Sequence, residues 1–412
     1  MEPASHPVAS PRARDGVPPP AATPPHLGRW RATTGLVHVL IFGPVAWNLL
    51  YGLPQGQPNL FPTHTAFAET AFDGLWHFGS PSQLWQAATK AIDVVLPGDI
   101  RFAALVAALV FYAFFGIAIA EVLRNRGAIG SVGPAAALGL SVVLAMLESP
   151  SGLWGWSGYM STEPFLPLYL PFAATTLASL GPNVLLMWEV ARWTSGEMPA
   201  RERWHIGALL ALASFAKPTL VPLLIVVVPA LTIVRSGRAD RAPHAPRLGE
   251  VARWLVLPGV AITLIQLLVT VRYVVNRGGW VLSPLTELHD LGADVPYFWL
   301  AVAFPLFALA VAGRRLLRDD AVLLGVLGAA LGIVACLLLR RTGTSYQGDV
   351  LQLPEAALAM LMIFMPRRMI ELWKRGELAP GQAAALIAGL VPYLVAGIFG
   401  WLWRLDVARP SL

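Results

Sequence analysis

IGALLALASFAKPTLVPLLIVVVPALTIV, residues 206–234, contains one charged side chain, Lys217, in 29 positions. The segment is too apolar to face water. An ionisable residue inside such a run is costly and marks a functional position by default. Pro218 follows at once. It has no backbone N–H, and its ring clashes with the preceding turn, so it breaks a continuous helix. Both flanks are basic, with Arg201 and Arg203 before and Arg235, Arg238 and Arg241 after. Lys and Arg favour one side of a membrane, so the flanks belong on the same side. The segment either goes out and back, with Lys217 at the far side, or never crosses.

The rest of the chain repeats this apolar character. Hydrophobic residues make up 56% of the 412 and charged residues 13%; a soluble domain carries about 25% charged. Apolar spans fall near 33–51, 102–123, 134–147, 165–191, 206–216, 219–234, 254–275, 295–312, 321–339, 350–366 and 382–403. Roughly 20 residues cross a bilayer as a helix, and 134–147, 206–216 and 219–234 fall short of that, so about nine to eleven crossings are expected. The fold class is all-α, a polytopic transmembrane bundle. Residues 1–31, rich in Pro, Ala and Arg, are expected to be a disordered cytoplasmic tail rather than a cleaved signal. Residues 32–412 form the helical domain, with a long outer loop at 52–101.

With the N-terminus inside and every span crossing, 21 of the 30 basic residues fall on the cytoplasmic side and nine on the outer side. The net charge of +6 therefore concerns orientation, and the scattered arginines give no support to a nucleic-acid partner. No lysine precedes Ser or Thr, and no His precedes Glu, which removes the P-loop and the zinc-protease helix. A single cysteine, Cys336, removes a disulfide framework.

Candidate chemistry gathers on the outer side. In loop 52–101, two amphipathic stretches, near 63–78 and 81–96, are expected to lie along the membrane surface. The first carries His64, Glu69 and Asp73. Glu69 and Asp73 are four apart and share a helix face. Either could serve as a general base, or both could be a solvated face. Glu163 precedes Pro164 at the start of an apolar span, where a carboxylate caps a helix or stands at the membrane boundary as a functional group. Lys217 either snorkels to the surface or holds an anion. Arg272, Arg340 and Arg341 also fall outside; they suit a lipid phosphate, unless the last three spans run the other way.

Three segments resemble the C-type integral-membrane glycosyltransferases (GT-C) of bacteria. Asn59–Ala68, NLFPTHTAFA, is similar to the first outer loop of that family, where an acidic residue stands shortly before a His; His64 matches and Leu60 occupies the acidic position. Ser161–Ala173, STEPFLPLYLPFA, resembles a polar stretch before an apolar span, with Glu163 in the polar position. Ala213–Leu231, ASFAKPTLVPLLIVVVPAL, matches the Lys-Pro-Ser/Thr break between two short helices. The resemblance implies a polyprenyl-phosphate sugar donor drawn from the membrane lipid and an extracytoplasmic acceptor. It implies catalytic roles for His64 and for Asp73, Glu69 or Glu163, and lipid-phosphate binding by Lys217, Arg340, Arg341 and Arg272. A divalent metal is compatible with it, and the setting is the bacterial plasma membrane. Two other readings remain: a transporter or flippase, and a non-catalytic partner of envelope-polysaccharide assembly proteins.

Overall fold

The computed structural model describes residues 26–52, 65–66, 68–69, 83–96, 98–124, 133–147, 174–237, 244–269, 280–284, 295–341 and 352–406. Twelve helices account for most of them: α1 His26–Trp47, continued by a π turn Asn48–Gly52; α2 Gln83–Val95; α3 Ile100–Arg124; α4 Pro134–Ala145; α5 Ala174–Thr194; α6 Trp204–Ala216; and α7 Leu220–Ser236. α8 runs through Leu248–Val251, a π turn Ala252–Val256 and Leu257–Val269, and is followed by α9 Val295–Ala312, α10 Asp320–Leu338, α11 Gln352–Lys374 and α12 Pro380–Asp406. One short antiparallel ribbon joins β1, Trp280–Leu282, to β2, Leu339–Arg341, with Trp280 opposite Arg341. The all-α expectation holds apart from this ribbon. α1 begins at His26, inside the stretch expected to be a tail; Trp30 holds this first turn by donating to the Pro134 carbonyl (3.2 Å) and lies under Arg124 (4.1 Å).

α3 lies at the centre of one half, packed against α1, α2, α4 and α5; α5 continues to α6 and α10, and α10 pairs with α11. Close approach depends on small residues. A Cβ on Gly116 of α3 would come within 2.2 Å of the His38 ring of α1, so only a glycine lets the two helices meet there. On α10, a Cβ at Gly332 would lie 2.6 Å from the backbone nitrogen of Pro354, whereas one at Gly328 would sit 3.4 Å from Ala357 Cβ. Backbone cannot rotate away, so Gly332→Ala is expected to force α10 from α11 at a cost of ~1–3 kcal/mol. Gly328→Ala should leave thermal stability in detergent unchanged. Equal losses for the two would remove the close-contact explanation.

The helices alternate in direction, and the polar bonds at their ends show it. At one end, Arg31 pairs with Glu121 (α1 to α3, 2.6 Å), Arg192 with Glu202 (α5 to the segment before α6, 3.1 Å), and Arg203 with Glu250 (α6 to α8). Arg235 of α7 pairs with Asp320 of α10 (2.6 Å), and Arg367 of α11 with Asp319 (3.0 Å). Gln382 of α12 donates to Val311 O of α9 (3.0 Å). At the opposite end, Asn48 donates to Leu405 O (α1 to α12, 3.1 Å), Gln266 to Ser214 O (α8 to α6, 2.5 Å), and the β1–β2 ribbon closes the α8–α9 and α10–α11 connections. The first end is therefore the basic one, and eleven helices, α1 and α3–α12, run between the two. Residues 206–234 form an out-and-back hairpin, one of the two alternatives left open by the charge pattern.

Among the described residues, five helices are long and apolar enough to cross a bilayer: Gly28–Gly52, Ile100–Arg124, Leu248–Gln266, Asp320–Leu338 and Pro380–Leu402. Large apolar side chains such as Leu40, Val110, Leu257, Leu264, Ile387 and Leu402 point outwards from them. Apolar exposure on this scale is tolerated in lipid and not in water. The chain is a polytopic helical membrane protein.

The second amphipathic stretch corrects an expectation. α2 does not lie flat on a surface. Trp85 is fully buried and stacks on Phe111 of α3, with ring centroids 5.9 Å apart. At 1.5 Å per residue from Ile100, Phe111 is about 16 Å into α3. α2 thus descends into the bundle beside α3 and also touches α5 and α6. Its pattern of one buried face reads the same for either placement. What covers that face is protein.

Candidate functional site

Pro218 builds the centre of the site. A residue before proline is pushed out of the helical region, and Lys217 is extended at φ −165°, ψ 113°. α6 therefore ends at Ala216. The Thr219 N–H bonds back to the Lys217 carbonyl at 2.8 Å, and α7 starts at Leu220. Lys217 therefore sits at the tip of the α6–α7 hairpin, within the bundle and at the end away from the basic residues.

Its ammonium donates to Thr176 Oγ1 of α5 at 2.5 Å and has Glu355 of α11 as its electrostatic partner. Thr176, Ser179 and Asn183, on one face of α5, line a small, partly open crevice with Lys217, Thr219, Glu355 and Met360. One cation, one carboxylate and several hydroxyl or amide groups thus meet in an otherwise apolar bundle, at the end away from the basic residues. An ammonium with three donors, bonded among the described residues to one hydroxyl, can take up an anion. The neighbouring carboxylate lowers the cost of holding that charge away from water.

The other expected site residues divide as follows. His64, Asp73, Glu163 and Arg272 lie outside the described residues. Glu69 is exposed, and its carbonyl, not its carboxylate, accepts from Lys90 Nζ at 3.4 Å. The backbones of Arg340 and Arg341 form β2, at the same end of the bundle as the Lys217 turn. Glu355 was missed. In sequence it is an acidic residue in the first turn of a helix, and such residues are usually there for the helix dipole. Its separation from Lys217 along the chain leaves no local trace. Among the described residues, no group of three His, Cys, Asp or Glu side chains is placed to hold a metal ion.

No protein-family model matches this chain, and no curated protein matches it.

Proposed function

We propose that this protein is a bacterial plasma-membrane glycosyltransferase, with its basic end in the cytoplasm, that moves a sugar from a polyprenyl-phosphate donor to an extracytoplasmic acceptor. The observation that carries the reading is Lys217: a cation at a proline-enforced turn, inside the bundle, in a crevice at the end away from the basic residues. The Lys-Pro-Thr break that resembles the C-type glycosyltransferases is the same turn. In the reaction, a carboxylate takes the acceptor hydroxyl proton, and the oxygen attacks the anomeric carbon. The bond from that carbon to the lipid phosphate breaks, and the phosphate leaves with the electron pair. Lys217 stabilises the negative charge as it develops, with Arg340, Arg341 and Arg272 as further lipid-phosphate contacts. Candidate bases are Asp73, Glu69 and Glu163, with His64 beside them, and now Glu355, the described carboxylate facing Lys217.

The test is sugar transfer in membranes carrying Asp73→Asn, Glu69→Gln, Glu163→Gln and Glu355→Gln singly. At least one should lose activity while keeping its expression and folding; full activity in all four would rule out every base assigned. Orientation is checked separately. In a Cys336→Ala background, a cysteine at Glu197 should label from the cytoplasm and one at Leu96 from outside. The reverse pattern would place the crevice on the wrong face for an extracytoplasmic acceptor.

A further inference from the structure

A second group of polar side chains lies deeper than the Lys217 turn. α2 buries Gln83 (7% exposed), Gln86 (1%) and Thr89 (0%). Gln83 Nε2, both amide atoms of Gln86 and Thr89 Oγ1 have no hydrogen-bond partner among the described residues. The two helices that α2 packs against besides α3 repeat the pattern: Asn183 Oδ1 on α5 and Ser214 Oγ on α6 are buried and unpartnered as well. α3 sets the level of these groups. Trp85, next to Gln86, stacks on Phe111. Gly181, two residues before Asn183, lies against Phe114, where an added Cβ would come within 2.6 Å of the ring. Gln86 and Asn183 are thus both set at the 111–114 turn of α3, near the middle of the bundle.

Buried amides and hydroxyls are nearly always satisfied in a folded protein, and clusters that are not ask for an occupant. Every member of this set is uncharged. Together they offer donors from amide N–H groups, acceptors from amide oxygens, and hydroxyls that do both. A phosphate or carboxylate would find no cation among them, and a hydrocarbon chain would leave them unpaired. A ring bearing several hydroxyls matches them, since each hydroxyl gives one proton and accepts in return. Asn183 also lines the crevice that holds Lys217, so one member of this set reaches the anion position.

We propose that the polar face of α2, with Asn183 and Ser214, is the seat of the uncharged sugar ring, while Lys217 receives the phosphate to which that sugar is attached. This rests on the transfer reading above, because it names the group to be transferred. Binding measured without transfer separates the two. The probe is a panel of methyl glycosides (glucose, galactose, mannose and N-acetylglucosamine), followed by saturation-transfer NMR on the purified full chain in a detergent without a sugar headgroup. At least one glycoside should give a signal with the wild type, lost more than fivefold in Gln86→Leu and in the isosteric Thr89→Val and kept in Lys217→Met. An amide without a partner contributes nothing to the fold, so Gln86→Leu should unfold no earlier than the wild type. The proposal is overturned if no glycoside gives a signal, or if the signal survives in both Gln86→Leu and Thr89→Val. It is also overturned if these variants unfold earlier and no glycoside binds the wild type, which would make the polar face a water-filled part of the fold. Glycoside binding without any transfer activity would instead retain the seat and reject the transferase.

Discussion

Arg235→Leu is expected to destabilise the protein by about 3–5 kcal/mol, the cost of leaving a buried charge without its partner. Asp320 sits at the start of α10 with its side chain only 7% exposed. Two guanidinium nitrogens of Arg235 reach its two oxygens at 2.7 and 2.6 Å, and the Thr194 hydroxyl adds a third bond at 2.7 Å. Three helices, α5, α7 and α10, are tied at this carboxylate. With Arg235 gone, one hydroxyl remains to satisfy an anion that water reaches poorly. The reverse removal, Asp320→Leu, should cost less, because the Arg235 side chain is 27% exposed and can turn to solvent. The double variant, Arg235→Leu with Asp320→Leu, should recover most of the loss, since exchanging both partners of a buried pair for apolar groups is often neutral. Unfolding of the three variants in detergent checks this as a double-mutant cycle. A double variant no better than Arg235→Leu alone would mean that the pair sets the geometry of the three helices rather than neutralising a charge.

Lys217→Met is expected to lower the turnover of sugar transfer by roughly 10²–10³-fold, the loss seen when a group that stabilises developing negative charge is removed. Met keeps the length and apolar stem of the side chain, so the turn at Pro218 should survive. Removing the ammonium leaves Glu355 without its electrostatic partner, so some stability should be lost, and turnover is compared on folded protein. Lys217→Arg keeps the charge in a broader, planar group and should retain part of the activity. Thr176→Val removes the hydroxyl that receives the ammonium at 2.5 Å and should reduce turnover less than Lys217→Met does. The pair of measurements is decisive: unchanged turnover in a folded Lys217→Met protein would end the role of this residue in the reaction.

The hairpin at 206–234 was half legible. Pro218 predicted the break, and the basic flanks predicted that both ends share a side, because a proline acts on its own turn and charge bias acts on each short loop. That the segment goes out and back needed the bond from Gln266 to Ser214 O near its tip, made between residues far apart in the chain. Lys217 stood out because a lone charge in an apolar run is visible without any partner. Glu355 did not, because an acidic residue in a first helical turn is ordinary until α11 brings it to Lys217.

The misreading of α2 has the same cause. A face made of Gln83, Gln86 and Thr89 with Trp85 beside it satisfies the period of a surface helix as well as that of a buried one. Periodicity says which side of a helix differs from the other. It carries no information on whether lipid, water or another helix lies against that side.

The sequence by itself determined that the chain is an all-α membrane protein, where its main spans fall, and that Lys217 occupies a costly position. Each follows from local terms: transfer free energies summed over about 20 residues, and the absent N–H of a proline. Only the tertiary structure decided that the hairpin turns at the end away from the basic residues, that Glu355 and Thr176 face Lys217, and that α2 descends to the level of Phe111. Those depend on contacts between distant segments, where close packing at residues such as Gly116, Gly181 and Gly332 selects one arrangement of helices among many that the apolar pattern would allow.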